Sequence, residues 1–197
     1  ATGAITSVKV KGKEMLAAPL ALSLFRPLTE NDAHRNGQGR KWLSYGLDSI
    51  SQKAVSVSRK GDVITAETEI YGKNGQSLGK ARFDYSADAA GVIAVKVRYT
   101  PDTTVVKTLP RIGLVTRLDR GNAQVVRYHG RGHVETYADR KTAGRIATYV
   151  TTPDAEFHRY IVPQATGNHT DVRWVEINDG LLTVDSDKPF QFGITTY

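Results

Sequence analysis

The sequence predicts an all-β fold built as an antiparallel sandwich, and three observations carry that expectation. Apolar and polar residues alternate with period two along much of the chain, the punctuation between such runs is short and turn-like, and no stretch sustains a 3.6-residue apolar period. The clearest run is Val92 to Tyr99, where Ile93, Val95, Val97 and Tyr99 fall on one face and Lys96 and Arg98 on the other.

In chain order the expected strands are Ile5 to Val10, Ala54 to Ser58, Ile64 to Tyr71, Lys80 to Tyr85 (Ala81, Phe83 and Tyr85 inward) and Val92 to Tyr99. Ile112 to Leu118, Gln124 to Tyr128, Val172 to Ile177, Leu181 to Asp185 and Phe190 to Thr195 follow. Lys73-Asn74-Gly75-Gln76 separates two of them, and Asn-Gly supplies the positive φ values that a tight hairpin needs. Lys60-Gly61-Asp62, Ala90-Gly91, Arg120-Gly121-Asn122 and Asn178-Asp179-Gly180 are the other turns. Helix is expected only as a turn near Pro153 to Phe157. Residues 26–41 and 129–170 read as long polar loops, the places where a rigid sandwich usually carries its binding residues.

With 197 residues, 40% of them hydrophobic, the chain is expected to form a single domain over 1–197. It contains no cysteine, which excludes disulfides, a thiol nucleophile and a cysteine-based zinc site, and leaves the compartment open between cytoplasm and periplasm. No apolar run matches a signal peptide or a membrane helix, so no membrane partner is expected. The net charge is +7, but the basic stretches Lys9 to Lys13 and Arg111 to Arg127 are interleaved with apolar or acidic residues. That pattern fits the wet face of a strand, and no nucleic-acid partner is expected. The chain begins Ala1-Thr2-Gly3 and stops after the strand-like run Phe190 to Tyr197, so it is expected to be an incomplete fragment of a larger enzyme.

Two segments concentrate polar chemistry. Arg26-Pro27-Leu28-Thr29-Glu30-Asn31-Asp32 sets one arginine and two carboxylates within seven residues. Such a set either binds a sugar, through the paired hydrogen bonds that carboxylates and amides make with hydroxyls, or is a loop tied down by its own Arg–carboxylate pair, with Asn31 or Asp32 capping backbone. Gly130 to Arg140 lacks the third glycine and the helix that a dinucleotide loop requires. Gly130 and Gly132 are expected to admit close backbone, with Arg131, Glu135, Asp139 and Arg140 forming an ion-pair network. The histidines at 34, 129, 133, 158 and 169 show no zinc spacing on a helix, and no Gly-x-Ser-x-Gly elbow exists. Glu30 with Asp32, or Glu135 with Asp139, has the composition of a glycosidase pair, which needs carboxyls roughly 5–9.5 Å apart. Each lies beside arginines that lower its pKa and spoil it as a proton donor, so ion pairing is preferred and no catalytic or metal-binding residue is assigned.

Read in order, the segments carry a family likeness. Phe25 to Asp32 resembles the Arg-Ala-Pro-Thr-Asp-Asn-Asp segment of bacterial β-galactosidases in glycoside hydrolase family two, with Trp42 following at a suitable distance. Pro110-Arg111-Ile112-Gly113-Leu114 resembles their Pro-Arg-Ile-Gly strand, and Tyr128 to Arg140 their Gly-x-Gly-Pro-x-Glu-x-Tyr-x-Asp-Arg segment. Tyr160-Ile161-Val162-Pro163-Gln164, Gly167-Asn168 and Thr170-Asp171-Val172-Arg173-Trp174 resemble their Tyr-x-x-Pro-Gln-Glu-x-Gly-Asn-x-x-Asp-Val-Arg-Trp run. His133 and Ala138 replace prolines of that pattern, Ala165 a glutamate, His169 an arginine and Glu30 an aspartate.

The resemblance implies a galactose-mutarotase-like super-sandwich, encoded in some relatives as a separate small chain. It implies a parent enzyme that removes terminal β-D-galactose with retention, using two glutamates on a TIM barrel that these residues do not include. Magnesium and sodium sites of the parent then lie elsewhere, and no cofactor is expected here. The catalytic barrel and a galactoside are the expected partners. Asn31, Asp32, His34 and Asn36, in the loop running to Gly39, are placed beside the active-site mouth. Arg26, Arg131, Glu135, Tyr137, Asp139, Arg140 and Arg173 are carried over as structural motif residues. The family module continues through further strands, including a tryptophan of the sugar site, so an exposed sheet edge is expected, with homodimerisation or modest solubility as its consequence. The alternatives are a stand-alone carbohydrate-binding or mutarotase-like protein, with aromatic platforms and an acid–base pair, and a basic protein-interaction module.

Overall fold

The structure, a computed structural model, describes residues 2–119, 121 and 123–196. Its strands run β1 (Lys9–Val10), β2 (Lys13–Glu14), β3 (Leu16–Ser23), β4 (Ser51–Lys60), β5 (Val63–Tyr71), β6 (Ser77–Ala87), β7 (Ile93–Pro101), β8 (Gly113–Leu118), β9 (Val126–Gly132), β10 (Arg145–Thr151), β11 (Asn168–Ile177) and β12 (Leu182–Gly193). Between β3 and β4 lie two short helices, α1 (Glu30–Ala33) and α2 (Gly39–Ser44), and a 3₁₀ turn over Leu47–Ser49. The chain is thus all-β, and the pairs β1–β2, β4–β5, β5–β6, β6–β7, β9–β10, β9–β11 and β11–β12 are antiparallel, as expected. Two compact units divide it: the first holds the chain as far as Ser7 and Ala18–Arg117, the second Val8–Ala17 and the chain from Leu118 onward.

The first unit is organised by the meander β4-β5-β6-β7. Its register sets Val57, Ala66, Phe83 and Val97 side by side on one face, and Ser56, Glu67, Arg82 and Arg98 on the other. Alternation then separates core from solvent: Ala66, Ile70, Leu78, Ala81 and Phe83 are buried, with Leu22, Leu24, Trp42, Leu47 and Val106 packed on them. Tyr85 and Tyr99 are half buried, and burial pushes both phenols up to about 12. The Asn74-Gly75 turn forms as expected, with Gly75 at φ +78 and Asn74 Oδ1 accepting from the Gln76 amide at 3.1 Å. Val57 and Ile64, at the β4–β5 end, remain exposed, and so does Ile93, which the alternation assigned inward.

The second unit is built on the sheet β10-β9-β11-β12. Its core gathers Val126, Tyr128, Val172, Val175 and Ile177, with Tyr149, Phe190 and Phe192 against them. Gly130 admits the Val172 backbone as expected, whereas the close neighbours of Gly132 are side chains, the Tyr128 hydroxyl and the Tyr149 ring. A Cβ on Gly130 would stand 2.7 Å from Val172 Cγ2, and one on Gly132 2.2 Å from the Tyr128 hydroxyl. The turn at Asn178-Asp179-Gly180 takes three consecutive positive φ values, and Asn178 Oδ1 accepts from the amides of Gln124 and Val125 at 2.9 Å each.

Several expectations need correction. The loop expected over 26–41 contains α1 and the start of α2. The loop expected over 129–170 contains the end of β9, all of β10 and the start of β11. β10 evades period-two reading because its outward residues are the apolar ones: Ile146 and Val150 are exposed while Ala147, Tyr149 and Thr151 are half buried. Ile5 to Val10 forms only the bridge Ile5↔Leu20 and the two residues of β1, whereas the apolar run near Leu20 becomes β3. Leu181 to Asp185 and Phe190 to Thr195 merge into one strand, β12. Of the turn expected at Arg120-Gly121-Asn122, residues 120 and 122 lie outside the described residues.

Phe83, fully buried at the centre of the first sheet, sets the scale of that core. Phe83→Ala is expected to lower unfolding free energy by about 3–5 kcal/mol. Exposed Val57, in the same row, should change it by about 0.5 kcal/mol or less when cut to Ala. Urea unfolding followed by circular dichroism checks both, and equal effects would contradict the assignment.

Candidate functional site

In the first unit, the segment after β3 is organised by one carboxylate. Asp32 Oδ2 accepts from Arg26 Nη1 at 2.5 Å, from the Thr29 amide at 2.8 Å and from the Thr29 hydroxyl at 2.8 Å. Thr29 in turn caps α1, its Oγ1 accepting from the Asp32 amide, so the two residues close a capping box. Burial raises the Asp32 carboxyl, but the hydrogen bonds from Arg26 and Thr29 outweigh it and hold the group below its usual value. The Arg26 guanidinium also lies 5.7 Å over the ring of Trp42, whose indole N–H donates to Thr108 at 3.0 Å. Arg111 donates to the Phe25 carbonyl at 3.0 Å, joining the Pro-Arg-Ile-Gly segment to this one.

The same knot presents polar groups to solvent. Asn31, His34 and Asn36 are exposed, on and just after α1. Gly37 and Gly39 allow the chain to fold back on α1: a Cβ on Gly37 would stand 2.2 Å from the Asp32 carbonyl, and one on Gly39 2.7 Å from it. Of the two readings of the motif, the internally tied loop describes Arg26 and Asp32, while Asn31, His34 and Asn36 are left facing outward. The Thr29…Asp32 spacing is the sequence signal for α1, since it closes the capping box.

In the second unit, the Gly130–Arg140 segment holds two separate networks where one was expected. Arg131 Nε donates to Asp171 Oδ2 at 2.5 Å and Arg131 Nη1 to the Gly144 carbonyl at 2.9 Å, with Lys141 also on Asp171 at 3.2 Å. The hydrogen bond from Arg131, ahead of those from Lys141, keeps the Asp171 carboxyl low. Glu135 is the centre of the other network. It accepts from the Tyr160 hydroxyl, from Tyr137 at 3.2 Å, from the Gly167 amide at 3.0 Å and from Arg140 at 3.4 Å. Burial, then the bond to Glu135, raises the Tyr160 phenol above its ordinary value. The expected four-member ion-pair network is therefore corrected: Glu135 pairs with Arg140, Arg131 turns to Asp171, and Asp139 is exposed with no ion pair among the described residues. Arg173 is exposed and donates to the Asp171 carbonyl.

A third cluster was not anticipated. His169 is fully buried and stacks on Phe192, with ring centroids 5.4 Å apart. Its Nδ1 lies 2.9 Å from the Arg131 carbonyl, which only accepts, and 3.0 Å from the Tyr128 hydroxyl, while Nε2 lies 2.7 Å from Glu156 Oε2. Burial, then the Glu156 charge, pushes the Tyr128 phenol well above its ordinary range. The available signal was His169 standing where the family pattern has arginine, but nothing in the sequence pointed to Glu156, thirteen residues away. Among the described residues no three His, Asp or Glu side chains gather as a metal site would require.

Chemically, these arrangements hold backbone. Asp32 and Asp171 are held below their usual value, which works against either as a proton donor, and Glu135 accepts from four donors. The fold and its polar knots therefore define an all-β module in which Asp32, Glu135 and Asp171 tie loops to the sheets.

Comparison with known proteins agrees with the motif likeness. A sequence model described as β-galactosidase small chain matches residues 1–197, and the chain belongs to that family. It is 30% identical over 180 residues to the β-galactosidase BgaC of Bifidobacterium adolescentis, covering 90% of this chain and 17% of that protein. It is 30% identical over 216 residues to a β-galactosidase of Kluyveromyces lactis, covering 98% and 20%. A β-galactosidase of Priestia megaterium is 27% identical over 179 residues, covering 90% and 17%. The chain thus spans about a fifth of the length of the curated relatives it matches.

The depressed carboxyls make stability acid-sensitive. Because Asp32 and Asp171 bind protons less well folded than unfolded, their contribution is present above the ordinary value of 3.8 and is lost as pH falls through the lowered ones. Urea midpoints should therefore drop between about pH 5 and pH 2. The double variant Asp32→Asn with Asp171→Asn should start lower at pH 7 and fall less on acidification. An unchanged pH slope would contradict the assignment.

Proposed function

We propose that residues 1–197 act as one accessory β-sandwich module of a β-galactosidase, packing against its catalytic barrel and lining the sugar pocket. The observation that carries this reading is the family match over the whole chain, combined with its span of only a fifth of β-galactosidase relatives. Hydrolysis of terminal β-D-galactosides then belongs to glutamates of the barrel, outside these residues. The polar knots support that division, since Asp32 and Glu135 are tied up as acceptors.

Within this reading, the loop after Asp32 is the part that meets substrate. Arg26 and Thr29 fix the Asp32 carboxylate and so fix the backbone that carries Asn31, His34 and Asn36. Exposed amide and imidazole groups on a fixed backbone suit sugar hydroxyls, because little ordering entropy is lost on binding. The role is positioning and recognition, with bond cleavage left to the barrel.

The test is reconstitution. The chain mixed with the catalytic remainder of its β-galactosidase should hydrolyse a chromogenic β-galactoside. In that mixture His34→Ala with Asn36→Ala should raise KM about threefold to tenfold, the loss of one or two neutral hydrogen bonds, with kcat little changed. An unaltered KM removes the loop from the substrate site.

A further inference from the structure

Outside the substrate-side loop, the most unusual surface of the chain is the segment between the turn at Thr152–Glu156 and β11. Three apolar side chains protrude from it: Ile161 is 102% exposed, Val162 57% and Phe157 49%. Apolar groups so exposed usually sit on mobile chain, but both ends of this loop are fastened. At its start, Glu156 is held by the buried contact of Oε2 with His169 Nε2 at 2.7 Å. Thr166 Oγ1 donates to the Glu156 carbonyl at 3.2 Å and accepts from the His158 amide at 2.9 Å, so Thr166 staples the two ends together.

Glu135 adds a second fastening, from β9's side of the fold. One of its carboxylate oxygens accepts from Tyr160, directly before the exposed pair, and the other from the Gly167 amide at 3.0 Å. Gly167 takes φ +68, and a Cβ there would stand 2.6 Å from the Glu156 carbonyl, so the closure requires glycine. His158 meets Tyr160 edge to face at 4.3 Å, bracing the ascending limb. The loop is thus pre-ordered before anything binds.

A rigid loop that offers two β-branched side chains and a phenyl ring is an anchor. Val and Ile are stiff at χ1 and give up little freedom on burial, and loop ordering has already been met by Glu135, Glu156 and Thr166. Such groups, when they enter a dry recess, dominate an interface. We infer that Phe157, Ile161 and Val162 form a docking plug that seats in an apolar recess on the catalytic part of the β-galactosidase polypeptide. The inference rests on the proposed accessory role. The occupant is argued from length: about four fifths of each matched relative lies outside the region this chain covers, so a module of such an enzyme has a large remainder of the same polypeptide to dock on.

The test measures binding. Fluorescently labelled chain is titrated with the catalytic remainder of the enzyme, wild type against Ile161→Asp with Val162→Asp. Both positions are exposed, so circular dichroism and the urea midpoint should match wild type. The expected result is binding by wild type and about tenfold or greater weakening in the variant. Equal binding by both overturns the plug while leaving the accessory role standing; no binding by wild type overturns both. Sedimentation of the chain alone supplies the remaining arm. A wild-type dimer that the double variant abolishes, with binding to the remainder unchanged, would assign the plug to a second copy of this chain and overturn the inference.

Discussion

Asp32 and Glu135 each accept several hydrogen bonds at once, and the irregular parts of this chain take their shape from that. A carboxylate leaving water must have its oxygens filled, or its desolvation is uncompensated. Asp32 meets the requirement with Arg26 and Thr29, which curls residues 26–33 into a capped turn of helix. Glu135 meets it with Tyr160, Tyr137, Arg140 and the Gly167 amide, which draws a loop from beyond β10 back onto the end of β9. These two excursions are fixed because each has one acceptor that several donors share, near in sequence for Asp32 and including distant ones for Glu135.

Much of the sheet was legible in the residues. Lys80 to Tyr85 and Val92 to Tyr99 alternate because one face meets a core and the other meets water, and β6 and β7 lie where that pattern placed them. β10 was hidden because Ile146 and Val150 point outward, which inverts the pattern the eye follows. Asp171, at φ +53 in an irregularity between His169 and Val172, interrupts β11 just where His169 turns into the core, so its burial could not be counted from the alternation. At the candidate site, Arg26 with Asp32 and Glu135 with Arg140 were readable as local pairs. Arg131 with Asp171 and His169 with Glu156 were not, because sheet pairing and loop closure bring them together from 40 and 13 residues apart.

Division of labour follows from the same chemistry. A glycosidase acid must be able to hold a proton near neutral pH, and an arginine beside it works against that. In this chain Asp32, Glu135 and Asp171 are each paired with a cation and share further donors, which suits them to shaping surfaces. The surface they shape has two distinct characters: a polar display at Asn31, His34 and Asn36 in the first unit, and an apolar display at Phe157, Ile161 and Val162 in the second. The proposed sugar contact uses the former and the proposed docking contact the latter. Family membership places both within a β-galactosidase.

The most direct test of this account is to ask the chain by itself for chemistry. Purified residues 1–197 at high concentration would be assayed for hydrolysis of a chromogenic β-galactoside and, by polarimetry, for interconversion of the galactose anomers. The account predicts background rates in both. Hydrolysis would return Glu30, Asp32, Glu135 and Asp139 to candidacy as an acid and a nucleophile, and anomer interconversion would make the chain a sugar-processing protein in its own right. Either result would contradict a module whose carboxylates serve only to hold its loops.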